Sequence, residues 1–459
     1  VYKFIAKYGL AAHLAILAVA PLFLFPFYGE SVSRPVVMWL ALVSALWVVI
    51  EPSVRKGETI RAARYRVLRC VQGDGVIWAL LVLVAFTGLR ACNQGIGMAY
   101  NVESHRWMVT QPAFPIFPGC VKGLGFQSFA AALAILVLVV GCRHAIGKSA
   151  RMLFLLLVSA LSGLAAVIAV AALRMSVPLA CSAAESLVSH SYVGFAFALH
   201  MMVGAVALFA MFDQKWRWLL PLALLSVGAT AMGAFVFAPP IVSLSLAAIS
   251  FAIAGYGVFS LFRVGKVLDA YRMIALFGLA LGAAALIIAF CVPESVVNPK
   301  TAVFDGGPWF GDGFFALRDL LSGVLLKSWV ASPWVGTGIG SFMFDVQFGL
   351  VEAEWALVPQ GVSDLANGWL LFLTERGIVG AVVALLPVAF LLGSLSVAFK
   401  KWVVIGDFPH PAVLLAPFMV AAAVVFGCVD CSFFRLDASM TLVSMLALSV
   451  KSFPRKRRG

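Results

Sequence analysis

Long apolar runs, unbroken by charge, limit what this chain can fold into more than any other feature of it. They fall at about residues 8–28, 35–50, 76–89, 125–141, 152–173, 192–212, 218–237, 240–262, 273–292, 377–398, 411–428 and 438–450. As helices, runs of roughly 18–25 residues match the hydrocarbon thickness of a bilayer. They lack the period-two alternation of barrel strands, and in lipid only helices or closed barrels satisfy every backbone group. Charged residues make up only 12% of the 459, against about a quarter in a soluble domain, so the solvent for most of the chain is lipid. The expected fold is an all-α polytopic membrane protein with about twelve transmembrane helices. Residues 1–292 would hold the first nine helices with short loops, 293–376 a large late periplasmic loop, and 377–459 the last three helices and a basic tail. Val1 to Lys7 leads into an apolar run with no small-residue cleavage pattern, which reads as a first span rather than a cleaved leader.

The net charge of +13 could suggest nucleic acid, but the placement of the charges points to lipid. With Lys3 and Lys7 inside, 23 of the 33 Lys and Arg fall in cytoplasmic segments, and 14 of the 20 acids fall outside. Cytoplasmic loops collect Lys and Arg, and that bias sets orientation. Both termini are therefore expected in the cytoplasm, at the bacterial inner membrane. The arginines from Arg55 to Arg69 and the tail Arg455-Lys456-Arg457-Arg458 read as anchors against anionic lipid, not as a nucleic-acid surface.

Six of the eight cysteines (Cys92, Cys120, Cys181, Cys291, Cys428, Cys431) lie on or near the outer face by this topology. A periplasmic Cys92–Cys120 disulfide and free or buried thiols are both open readings. No Cys/His spacing resembles a metal site, and neither metal nor cofactor is expected. His13 and His200, within or at the end of spans, read as hydrogen-bonded packing residues. With almost no charge in the spans, a coupled transporter lacks the midplane ionisable groups it normally uses.

Polar residues concentrate in the late loop. It carries Arg318-Asp319-Leu320, then SPWVGTGIGSF from Ser332 to Phe342, then Asp345, Glu352 and Glu354, and closes with DLANGWLLFLTERGIVGA from Asp364 to Ala381. Gly336, Gly338 and Gly340 permit tight turns and close approach of backbone N–H groups to an anion. No Gly-Lys-Ser/Thr follows, so this is not a nucleotide loop.

An Arg fifteen residues before Pro-Trp-Val-Gly-x-Gly-x-Gly-Ser-Phe, then Asn-Gly-Trp-Leu and Glu-x-Gly-Ile-Val-Gly opening a span, resembles the O-antigen ligase and O-antigen polymerase superfamily. The resemblance covers roughly 315–381, with a fainter echo at SHSYVGFAFALH from Ser189 to His200. It implies transfer of a glycan from an undecaprenyl-diphosphate carrier to an acceptor glycan or lipid A core at the outer face. Two positions depart from the pattern: Ala366 stands where members commonly have His before the Asn, and Ser226 to Ala234 lacks the Arg of a common Ser-Arg-Gly.

Such a reaction needs a grip on the diphosphate, a placed acceptor and a proton acceptor. Arginine pairs bidentately with phosphate and stays charged. Arg318 matches the family position. Arg174 and Arg106 are candidate substitutes for the missing middle-span Arg, and each outer Arg could equally be an interfacial anchor. His190 and His105 are the outer histidines, His190 at the span mouth where the echo places one. Asp345, Glu352, Glu354, Asp364 and Glu375 are the acidic alternatives for a base. Asn367 is expected to hold loop backbone or substrate hydroxyls, and Glu375 to bind substrate, cap the helix or pair with Arg376. Rival classes are a lipid-phosphate-sugar-dependent glycosyltransferase, for which the first outer loop offers only Glu30, a polysaccharide transporter or flippase, and a non-catalytic assembly partner.

Overall fold

The structure, a computed structural model, describes residues 2–56, 72–101, 106–110, 119–121, 123–146, 149–176, 191–212, 217–237, 269–291, 312–349, 367–405, 411–429 and 436–449, with isolated positions between them. The chain forms two compact units, one of Val1–Ile146 with Phe314–Ser394 and the other of Gly147–Gly313 with Leu395–Gly459.

In the first unit, α1 (Tyr2–Lys56) is helical throughout. Yet the His13 and Trp47 rings stack with centroids 5.1 Å apart. Thirty-four residues of straight helix would separate them by about 51 Å. The helical segment therefore turns back on itself between them, bringing the apolar arms Tyr8–Ala20 and Pro35–Ile50 together. Leu10, Leu14 and Leu17 on the first arm are fully buried, against α3 (Leu124–Val140) and the π-helical turn Gly141–Ala145 that follows it. A Cβ on Gly141 would come within 2.6 Å of the Leu14 side chain, so that side chain packs directly on the Gly141 backbone, where only hydrogen fits.

α2 (Gly75–Cys92) packs along α3. Asp74 caps α2, its Oδ1 accepting from the Val76 N–H at 3.1 Å. Its Oδ2 accepts from Arg143 Nε at 2.7 Å and His144 Nε2 at 2.9 Å. The π turn, with its i to i+5 bonding, carries both partners, so one carboxylate ties the start of α2 to the end of α3. These partners hold the Asp74 carboxyl down to about 2 against a burial effect that raises it.

Between α2 and α3 lies a small sheet that the sequence reading does not anticipate. β1 (Gln94–Asn101) pairs antiparallel with β2 (Arg106–Thr110) and parallel with β3 (Cys120–Val121). The late segments of this unit are α8 (Asp312–Ala331) from Phe314 on, α9 (Phe342–Gly349) and α10 (Gly368–Ile405) as far as Ser394.

The second unit is built on α5 (Ser191–Phe212), whose residues from Gly194 to Leu208 are buried all round. α4 (Ser149–Ser176), α6 (Leu220–Phe237), α11 (Pro411–Val429) and α12 (Leu436–Ser449) pack on it. α7 (Asp269–Cys291) belongs to this unit as well, with Gly278 against the helical positions Ser250 and Ala254. Small residues let these helices approach closely. The Ser226 hydroxyl on α6 donates to the Ala160 carbonyl on α4 at 2.6 Å. His200 is buried, with Nδ1 donating to the Ala196 carbonyl at 2.8 Å, a packing residue as read.

Gly75–Cys92, Leu124–His144, Met152–Ala169 and Gly368–Val397 are long and apolar enough to cross a membrane. Shorter apolar helices occupy the other expected intervals, apart from 240–262, which lies largely outside the described residues. The described residues are all-α apart from the small sheet.

Candidate functional site

The two motif segments of the late region fold into one structure in the first unit. α10 is broken at Gly377, whose φ of 65° and ψ of 179° belong to no helix. That conformation is essentially confined to glycine. The break leaves N–H groups without helical partners, and the turn Ser332–Ser341 supplies acceptors: Pro333 O for Ile378 N at 2.9 Å and Trp334 O for Val379 N at 3.1 Å. In return the Thr374 and Glu375 carbonyls accept from Thr337 N at 2.8 Å and Gly338 N at 3.1 Å. A Cβ on Gly336 would sit 2.5 Å from Gly377 N, so the contact closes only between two glycines.

The turn is held from its other side by the sheet. Val121 N donates to Ile339 O at 2.9 Å and Ile339 N to Gly119 O at 3.3 Å, adding Ile339 beside β3. Gly338 and Gly340 also take positive φ, where a Cβ would strike Ile96 and Leu124 respectively. The N–H groups of Gly336, Gly338 and Gly340 are donated to Ser332 O, Glu375 O and Glu375 Oε1. The first closes the turn on itself and the other two fasten it to α10, so none points at a free anion site. Glu375 serves twice, through its carbonyl and through a carboxylate bonded to Gly340 N at 2.9 Å.

Arg90, near the end of α2, is the element that sequence reasoning passed over. It is 1% exposed. Its Nη2 donates to Glu375 O at 2.9 Å and Val335 O at 3.2 Å, and its guanidinium lies 5.3 Å from the Phe86 ring centroid. Nε and Nη1 are buried without a protein partner. Cys120 packs alongside, its thiol 3.1 Å from Arg90 O, and burial pushes that thiol up. Cys92 is exposed and Cys120 buried, both free thiols. The one signal for Arg90 was its rarity as an outer cation at a span end, which an interfacial anchor also produces.

Beside the turn, Thr337 Oγ1 and Ser341 Oγ are 2.6 Å apart, and Ser341 Oγ lies 3.4 Å from Asp345 Oδ2 at the start of α9. Burial pushes the Asp345 carboxyl up, opposed by its hydrogen bonds to Thr337 and Ser341. Asn367 caps α10, its Oδ1 accepting from Trp369 N at 3.1 Å and Leu370 N at 3.2 Å. That role follows from an Asn before an apolar run. Arg376 sits 5.0 Å from the Phe372 ring centroid.

The structure thus brings together Gly336, Gly338, Gly340, Glu375 and Asn367 in one unit. Arg318 is on α8 and Arg106 begins β2, both in this unit, while Arg174 lies near the end of α4 in the other; their side chains are outside the described residues. His190, His105, Glu352, Glu354, Asp364 and Ala366 lie outside them altogether. Among the described residues, no group of His, Cys, Asp and Glu could hold a metal ion.

Fold and site define a helical protein with helices suited to cross a membrane, one of them broken where a glycine-rich turn docks. Compared with protein-family models and with curated proteins, the sequence finds no match.

Proposed function

We propose that this protein is an inner-membrane glycan ligase or polymerase. It transfers oligosaccharide from an undecaprenyl-diphosphate carrier to an acceptor hydroxyl, on an acceptor glycan or lipid A core, at the periplasmic face. The observation that carries this reading is the docking of Gly336 on Gly377. Two segments that resemble O-antigen ligases and polymerases, with these glycines 41 positions apart, interlock as parts of one site should. The charge bias supports about twelve spans with both termini cytoplasmic and the late loop periplasmic.

In the reaction the acceptor oxygen forms a bond to the anomeric carbon, and the bond from that carbon to the phosphate oxygen breaks. Lipid diphosphate leaves with the electron pair, and the acceptor proton passes to a protein base. Arg318 is the first choice for gripping the diphosphate, with Arg106 and Arg174 as auxiliaries. His190 and Asp345 are the candidates for the base, Asp345 because its hydrogen bonds to Thr337 and Ser341 fix its position. Arg90 and Glu375 set the turn. Positioning and electrostatic grip supply much of the rate in such a site.

Deletion followed by gel profiling of surface polysaccharide tests the reading. Loss of long chains with a single repeat retained indicates a polymerase, and loss of all capped product a ligase. Arg318→Lys keeps charge but loses the planar fork, so product falls, and Arg318→Ala falls further, by about one to a few orders of magnitude. Full product from Arg318→Ala at matched expression would sink the diphosphate grip. A second reading, a non-catalytic assembly partner, is favoured by Ala366 at the family's His position. It predicts that deletion lowers product while every single-residue site variant leaves it unchanged.

A further inference from the structure

α8 belongs to the stretch expected to be an aqueous loop, yet its surface is divided as a lipid-contacting helix would be. Leu321, Val324 and Leu325 are buried, and the Leu325 carbonyl accepts from the Thr374 hydroxyl of α10 at 3.1 Å. On the other side Leu326, Val330 and Trp334 are exposed at 49%, 65% and 66%, spaced by four residues along the helix and its exit turn.

The height of that stripe is fixed by hydrogen bonds. Trp334 O accepts the N–H of Val379, and Pro333 O that of Ile378, in the first turn after the break in α10. Val379 and Val382, on a helix apolar enough to span, expose 45% and 58% of their surface. The stripe therefore adjoins apolar side chains that face lipid. Its edges suit a boundary as well. Trp prefers the headgroup level, and exposed Lys327 beside Leu326 can lay its stem on apolar surface and its ammonium among anionic headgroups. Asp319, exposed about two turns earlier on the same face, marks the aqueous end.

We infer that α8 and its exit turn lie on the membrane, with Leu326, Val330 and Trp334 inserted at the boundary between headgroups and acyl chains. The glycine turn and Arg90 then stand at the lipid–water boundary and not out in solution. This placement does not depend on the proposed glycosyl transfer.

The test uses the full chain reconstituted in vesicles of phosphatidylethanolamine and phosphatidylglycerol. The photoreactive residue p-benzoylphenylalanine replaces Val330 or Trp334, with Val382 as the lipid-facing reference and Asp319 as the aqueous one. All four side chains are exposed, so the substitutions are tolerated, and protection of Cys120 from maleimide checks the fold of each variant. Illumination should add one phospholipid mass at positions 330 and 334 with yields comparable to that at 382, leaving 319 at background. Yields at 330 and 334 no higher than at 319 would overturn the inference. So would cross-linking of those positions into a dimer, which would assign the stripe to a second copy of the chain.

Discussion

Arg90 reaches across the first unit to hold Glu375 by its main chain: Nη2 of the one lies 2.9 Å from the carbonyl oxygen of the other. The bond grips the residue two places before the α10 break, and a second from the same nitrogen grips Val335 in the turn. One guanidinium thus joins both halves of the docked structure to α2.

Replacing that guanidinium should loosen the docking. Hydrogen bonds to charged groups contribute about 1.5–3 kcal/mol each, and removing the buried charge recovers part of its desolvation cost. Arg90→Ala is expected to destabilise the protein by roughly 2–4 kcal/mol. Arg90→Lys should lie between, because it keeps the charge but its shorter stem stops short of the position Nη2 occupies. Thermal melting in detergent, with limited proteolysis of the Ser332–Ser341 turn, checks both. Wild-type melting of Arg90→Ala would refute the strut.

The pair Gly336 and Gly377 admits no side chain. Gly377→Ala places a Cβ against Trp334 O in a backbone region costing non-glycine residues about 1–3 kcal/mol. Gly336→Ala meets Gly377 N and the Glu375 main chain. Both should reduce folded yield sharply. Gly323→Ala, in helix α8 with nothing within 4 Å of the new methyl, should be neutral or stabilise by about 0.5–1 kcal/mol. Folded yield by fluorescence-detected gel filtration distinguishes them.

Asp74 gives a pH dependence with a definite sign. Its folded-state pKa lies near 2, below the ordinary 3.8. The clamp to Arg143 and His144 therefore contributes fully above the unfolded value and is lost as pH falls through the folded one. The contribution is about 2 kcal/mol at 1.36 kcal/mol per unit. In Asp74→Asn the stability deficit seen at neutral pH should shrink between about pH 4 and 2. Melting curves of both proteins across that range measure it, and a deficit independent of pH would exclude the ion-pair account.

Cys92 and Cys120 should differ in reactivity. An impermeant maleimide should label Cys92 in the folded protein and Cys120 only after denaturation. Labelling of Cys92 in intact spheroplasts also tests the proposed sidedness of the α2 end, since a cytoplasmic Cys92 would react only after lysis.

What could be read from the sequence follows from the range of each interaction. Apolar helices are legible because a bilayer demands local runs of apolar residues, and two such runs coincide with the apolar arms of α1. Gly336, Gly338 and Gly340 announced a turn, since glycine clusters have few other uses. Their function was less visible: of the N–H groups that suggested an anion cradle, those of Gly338 and Gly340 meet acceptors from Glu375, more than 30 residues on. Asn367 carried an ordinary capping signal that the resemblance overshadowed. Arg90 was hidden most deeply, because its partners are main-chain carbonyls 245 and 285 residues away, and a carbonyl leaves no mark on sequence. The sheet was missed because β3 is two residues long and takes part of its order from Ile339.

The interruption of the first unit by Gly147–Gly313 sets a timetable for biosynthesis. Translation at about 5–20 residues per second delivers Glu375 roughly 15–60 seconds after Arg90. For that interval α2 must enter the membrane with a cation whose eventual partners do not yet exist. Until the last third of the chain arrives, water, a headgroup phosphate or the insertion machinery has to satisfy Arg90. The docked turn is then a late event of assembly, and variants that weaken it should accumulate as inserted, protease-sensitive intermediates, not as chains that fail to enter the membrane.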